Sequence, residues 1–165
     1  MKRNGWQRTW VRILTTVMTM AVMTFIFAFS SENAESSDQT SGNISRAVIP
    51  VVYPDYEQKP PEEKKICYDN VQHIVRKTAH FTEYLILGLL IRLCLESWFG
   101  RRKGMLPISW AAGTIYAGTD ELHQMLIDGR SGQRTDVLLD SAGVMAGVMI
   151  AVLILYLSSK KRLQA

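Results

Sequence analysis

The chain has 165 residues, with 19 Lys and Arg against 15 Asp and Glu for a formal net charge of +4, and 47% of its side chains are hydrophobic. That length suits one small domain, and the basic residues are dispersed in short flanks, which argues against a nucleic-acid surface. A mean hydropathy near zero conceals segregation, because four long apolar segments alternate with charged ones.

The first apolar segment runs from Trp10 to Phe29, with Arg12 as its one charge and Lys2, Arg3 and Arg8 ahead of it. About 20 residues at roughly 1.5 Å each cross a hydrocarbon core. Ala28-Phe29-Ser30 has the form of a signal-peptide cleavage site. The apolar run nevertheless exceeds the usual length of about 7 to 15 residues, so a retained span is expected. Residues 30–69 are the long external connection. Ser30 to Gly42 is polar without periodicity and reads as irregular, while Ala47 to Tyr56, broken by Pro50 and Pro54, reads as a short interfacial segment.

Pro60-Pro61-Glu62-Glu63 marks a helix start, with proline at the first position and acids in the first turn. Cys67, Val71, Ile74, Thr78, Phe81 and Leu85 then recur at helical spacing, which predicts a helix that begins outside the membrane and becomes the second span, Thr78 to Trp98. Arg92 near its far end reads as a snorkelling side chain. The third span is Met105 to Ile127 and the fourth Val137 to Leu157, where Gly143 and Gly147 predict close helix approach. Cys67 and Cys94 fall on opposite sides of the membrane, which excludes a disulfide between them.

The expected fold is all-α: an integral-membrane four-helix bundle with a long external loop between the first and second spans. Its parts are the N-terminus and first helix (1–29), the external loop and juxtamembrane helix (30–77), a three-helix core (78–157) and a basic tail (158–165). Lys2, Arg3, Arg8, Arg12, Arg101, Arg102, Lys103, Lys160, Lys161 and Arg162 flank the spans on one side, so both termini are expected in the cytoplasm.

The chemistry is concentrated between Thr119 and Gly143, a charged stretch enclosed by apolar runs. With Thr78, Ile127 and Val137 as outer span ends, Glu83 lies about 7 Å inside, Asp120 about 10 Å and Asp140 about 5 Å. Charges at such depth face protein or water rather than lipid. Helical spacing gathers Lys77, His80, Glu83 and Tyr84 on one side of the second span, and Asp120, His123 and Gln124 on the third. Asp136 and Asp140 follow on the fourth, with Arg130 and Arg134 in the turn before it. The result is a polar pocket that opens outward. His80, Glu83, Asp120 and His123 are the candidate catalytic acid-base cluster. Lys77, Tyr84, Gln124, Arg130, Arg134, Asp136 and Asp140 are the candidate ligand-binding set, with Arg130, Arg134 and Lys77 facing an anion. Structural hydrogen bonding is the alternative role for both histidines, and Glu121 is left to the loop or a neighbouring helix. The acid-base set contains metal-ligating types, but no tight ligand motif supports a metal site, and neither a metal nor another cofactor is assigned.

Lys77-Thr78-Ala79-His80-Phe81-Thr82-Glu83-Tyr84 with Leu87-Gly88, then Asp120-Glu121-Leu122-His123-Gln124 with Asp128-Gly129-Arg130, Asp136 and Gly143, resembles the VanZ-like family of bacterial membrane proteins. Phe29-Ser30-Ser31 also fits and favours the retained first helix. Several members carry asparagine where this chain has Asp140, so the pocket gains a negative charge here. The resemblance implies a cell-envelope role in the bacterial plasma membrane, and the family's namesake is associated with resistance to the glycopeptide teicoplanin. The expected function is binding of, or action on, a cell-envelope lipid, a lipid-linked precursor or an anionic amphiphile, affecting susceptibility to envelope-directed antibiotics. No nucleic-acid partner is expected. A small proton-coupled transporter and a structural subunit, whose charge cluster only holds the helices together, are the alternatives.

Overall fold

A computed structural model of the chain describes residues 5–32, 34–127 and 134–163. The described residues form five α-helices: α1 Gly5–Ser30, α2 Ala34–Val52, α3 Pro61–Phe99, α4 Met105–Gln124 and α5 Arg134–Leu163, with a 3-10 turn at Tyr56–Gln58 before α3. The expected all-α class is what forms, and no strand occurs among the described residues. Among the described residues three helical segments are long and apolar enough to cross a membrane: Arg8–Ser30, Pro61–Phe99 and Thr135–Lys160. α4 is not among them, since its last turns carry Asp120, Glu121, His123 and Gln124, and it ends at Gln124 rather than at Ile127.

α3 is the axis of the molecule and packs against α1, α2, α4 and α5. It starts as its sequence dictates, with Pro61 at the first helical position and Glu62 and Glu63 in the first turn. Its 39 residues extend about 58 Å, nearly twice a hydrocarbon core, so part of it lies beyond the apolar layer. It ends where Gly100 takes φ 69°, a left-handed value that glycine adopts without strain, and Gly104 at φ 90° starts α4.

Small residues bring α3 and α5 into backbone contact. A Cβ at Gly88 would strike the Val144 carbonyl oxygen, one at Gly147 the Leu85 carbonyl oxygen, and one at Gly143 would lie 2.6 Å from the Phe81 carbonyl oxygen. Gly88 therefore does not break α3; it admits α5. Around this spine lies the core of Ile26, Tyr84, Leu87, Ile91, Ala117, Val144 and Val148. α4 is tied to α5 by the Trp110 indole N–H, which donates to Ser141 Oγ at 3.0 Å, and to α1 by the Tyr116 hydroxyl, which donates to the Met23 carbonyl at 2.6 Å.

At the turn end of the bundle, Arg12 Nε donates to the Ser97 carbonyl at 3.0 Å and Arg101 Nη1 to Ser159 Oγ at 3.2 Å. The basic flanks of α1, of the α3–α4 turn and of α5 thus meet at one end. The outward faces are apolar: Leu14, Val17 and Phe25 on α1 and Leu153, Ile154 and Leu157 on α5 are all exposed. Such a surface fits lipid rather than water.

Two expectations are corrected. The segment read as irregular is mostly α2, a helix that lays Ser41, Gly42, Ser45 and Ile49 against α3. Gly42 is needed at that crossing, because a Cβ there would lie 2.8 Å from the Tyr68 hydroxyl. Packing overrides the weak local preference of a Ser-rich stretch, and Pro50 is accommodated in the final turn. Arg92 does not snorkel: it is 7% exposed and bonded to Glu96 at 2.9 Å.

Candidate functional site

Opposite the turn end, the end of α1, the face of α2 and the middle of α3 enclose a cleft of about 190 Å³. α1 and the residues after it supply Ile26, Phe29, Ser30 and Glu32, and α2 supplies Ser41 and Ile44. α3 supplies Val75, Arg76, Ala79, His80 and Glu83, and α4 reaches in with Asp120. On α3 the lining steps 76, 80, 83, one helical face.

That stepping divides the candidate residues. His80 and Glu83, both half-buried, face the cleft. Lys77 and Tyr84 turn toward α4 and α5. Lys77 Nζ forms an ion pair with Asp136 Oδ1 at the start of α5, and Tyr84 is fully buried, its ring 6.4 Å from that of Tyr116. Asp120 joins the two groups. It is 4% exposed, its Oδ2 accepts a hydrogen bond from Gln124 Nε2 at 3.1 Å, and its Oδ1 meets no donor. The Tyr84 hydroxyl lies beside the Asp120 and Asp140 carboxyl groups, with Asp120 the one it faces as a hydrogen-bond partner. Asp140, 2% exposed, also has an Oδ1 without a donor among the described residues, and the described charges that bear on it are Asp136, Asp120, Glu121 and Glu83. The buried layer between α3, α4 and α5 is thus acid-rich, and Glu121 belongs to it rather than to the loop.

His123 stands apart from the cleft. Its ring stacks on Phe27 with centroids 4.5 Å apart, and its Nε2 lies 3.1 Å from Ser31 Oγ, so it fastens α4 to the end of α1. The acid-base candidates therefore assemble as His80, Glu83 and Asp120, without the second imidazole. Among the described residues no three of His, Cys, Asp and Glu are arranged to hold a metal ion. Arg130 lies outside the described residues, as does the side chain of Arg134, whose backbone opens α5. Ser30, Glu32, Ser41 and Arg76 were missed as lining residues. Arg76 was within reach of helical spacing, being four residues before His80 and seven before Glu83; the other three needed α2 to be a helix.

Fold and site together define a helical protein of membrane type with a polar cluster and a cleft at one end of its helices. The family model for VanZ/LLP1 matches residues 15–155, and the chain belongs to that family. Comparisons with curated proteins and with solved structures give no match.

Proposed function

We propose that the protein binds the polar end of a cell-envelope amphiphile in the cleft between α1, α2 and α3, and thereby alters susceptibility to envelope-directed antibiotics of the glycopeptide class. The division of the cleft carries this reading: Ile26, Phe29, Ile44, Val75 and Ala79 make apolar walls, and His80, Glu83 and Asp120 make a polar floor. At about 190 Å³ it is smaller than the roughly 300–1,000 Å³ of pockets for drug-sized ligands, so a head group enters while its chain follows the apolar surface of α1. His80 beside Glu83 and Asp120 supplies the groups that would move a proton on that head group.

Membership of the family supports the envelope role. The gathering of Arg12 and Arg101 at the turn end supports placing that end, with both chain termini, in the cytoplasm and the cleft outside the plasma membrane. In a background without native cysteines, an impermeant thiol reagent should then label Glu62→Cys on intact cells. Protection of that cysteine until the membrane is permeabilised would reverse the orientation.

Ala79→Trp tests the binding reading, because Ala79 is an exposed wall residue whose enlargement fills the cleft without touching the α3–α5 spine. Loss of the susceptibility phenotype at normal membrane abundance is expected, and an unchanged phenotype would overturn it. The Lys77–Asp136 ion pair favours a second reading, in which the charges only join helices. Under that reading Glu83→Gln lowers abundance and phenotype in parallel.

A further inference from the structure

We infer that the turn end of the bundle seats the phosphate of an anionic phospholipid, with Arg12 on Trp98 as the seat and the exposed basic flanks as its surroundings. This site is separate from the cleft and independent of the reading given to it. Its sign comes first. Residues 1–31, 86–119 and 141–165 contain one acidic side chain, Glu96. Glu96 is already shared by Arg92 at 2.9 Å and Arg101 at 3.5 Å, so those two cations are answered. Arg8, Arg102, Lys103 and Lys160 are exposed, and neither they nor Arg12 pairs with an acid among the described residues. The flanking sequence adds Lys2, Arg3, Lys161 and Arg162 and no acidic side chain. An anionic membrane surface attracts such a cluster.

The geometry of Arg12 turns that attraction into a seat. Its Nε donates to the Ser97 carbonyl at 3.0 Å, and its guanidinium lies over the Trp98 ring, 5.2 Å from the centroid. Trp98 is fixed in turn, its indole N–H donating to Thr16 Oγ1 at 3.0 Å. Nη1 and Nη2 of Arg12 remain. They meet no acceptor among the described residues and, unlike Nε and Nη1 of Arg92, are open to solvent. A guanidinium held at one nitrogen and one face loses little freedom on binding, and its terminal N–H groups make the fork that fits two phosphate oxygens. Apolar surface adjoins the seat, which favours a lipid over a free anion. Trp98 is 49% exposed, as suits a ring at head-group depth, and Ile13, Leu14 and Phe99, sequence neighbours of Arg12 and Trp98, are exposed for the chains.

Native mass spectrometry of the full chain released from detergent micelles, titrated with phosphatidylglycerol and phosphatidylcholine of matched chains, tests this. Phosphatidylglycerol should bind about tenfold tighter, and Arg12→Gln should lower that preference about fivefold, the effect of one basic side chain at an anionic surface. Lys65→Gln, an equal loss of charge at an exposed position near the start of α3, should leave it unchanged. Glycerol 3-phosphate, which has the phosphate without the chains, should not compete. Equal binding of the two lipids overturns the inference, as does a preference that survives Arg12→Gln in folded protein or falls as far in Lys65→Gln. Displacement by glycerol 3-phosphate reduces the seat to an anion site and overturns the choice of a lipid. If Arg12→Gln does not fold, Arg102→Gln with Lys103→Gln, both exposed and between helices, takes its place: a lowered preference supports the site and an unchanged one overturns it.

Discussion

At the turn end of α3, Glu96 sits between Arg92 at 2.9 Å and Arg101 at 3.5 Å, whereas around Asp120 and Asp140 carboxylates outnumber the described cations. Both regions hold buried polar atoms that meet no close partner, but of different make-up. In the first they are donors, Nε and Nη1 of Arg92; in the second they are the carboxylate oxygens Oδ1 of Asp120 and of Asp140, with the Tyr84 hydroxyl beside them. The difference that matters is access. Arg92 is enclosed by its own helices and locked to an acid one turn away, while Asp120 forms part of the wall of a cleft. A charged residue in a membrane helix is a candidate site by default. Here the surroundings separate a structural pair from a site.

The largest effect expected from breaking that contrast is at the turn end. Glu96→Ala strands Arg92 in a buried position and should cost about 3–5 kcal/mol, read as a lowered unfolding midpoint in detergent. Replacing both partners, Arg92→Met with Glu96→Ala, should recover most of the loss. A single variant as stable as the parent would mean that Arg92 is solvated and the contrast is false.

Between the two ends, Gly147→Ala drives a methyl group into the Leu85 carbonyl and should cost about 1–3 kcal/mol, since neither backbone can withdraw easily. Because the spine serves both ends, cleft binding and turn-end stability should weaken together. A variant that lost one and kept the other would show that the ends are independently supported.

A smaller and opposite change sharpens the comparison at the cleft end. Asp140→Asn replaces an ionisable carboxyl at an acid-rich, 2% exposed position with a neutral amide and should raise stability by about 1 kcal/mol at neutral pH. Denaturant unfolding of the two proteins side by side decides it. A destabilised variant would mean that the carboxylate is held by a partner.

The smallest effect lies outside the apolar layer, where Lys59 bonds Asp55 at 2.9 Å and Glu63 at 3.5 Å. The bond to Lys59 holds the Asp55 carboxyl below its ordinary 3.8, and the bond to Asp55 raises the Lys59 ammonium above 10.5. The Asp55 share of stability is present above its unfolded value and lost as pH falls through the lower folded one. The Lys59 share is present below 10.5 and lost as pH rises through the higher folded value. Asp55 is exposed and Lys59 half-buried at the surface, so the effect is slight. Nuclear magnetic resonance titration of Asp55 should give a higher midpoint in Lys59→Gln than in the parent, and an unchanged midpoint would remove the pair from the account.

How much of this was legible in the sequence follows from which forces set each feature. The start of α3 at Pro61 and its long run to Phe99 were readable because proline, first-turn acids and 3.6-residue spacing are local signals. So was the close packing at Gly143 and Gly147. α2 was not, because a Ser-rich stretch with Pro50 has no strong helical preference of its own and becomes ordered by packing Ser41, Ser45 and Ile49 on α3. The cleft went with it, since Ser41 and Ile44 form one of its walls. Spacing alone also spread Lys77, His80, Glu83 and Tyr84 over one broad face. The structure splits that face, because α5 approaches at Gly88 and draws Tyr84 into the core while α2 covers the His80 side. The carboxylate excess was countable from the chain, but the isolation of His123 against Phe27 was not.

The most direct test of the central claim is photo-crosslinking in native membranes with an amphiphile that carries a diazirine next to its head group. Occupation of the cleft predicts that the labelled peptide contains Val75 to Glu83, and that Ala79→Trp removes the label while membrane abundance holds. Label spread over the lipid-facing sides of α1 and α5, unchanged in Ala79→Trp, would contradict it.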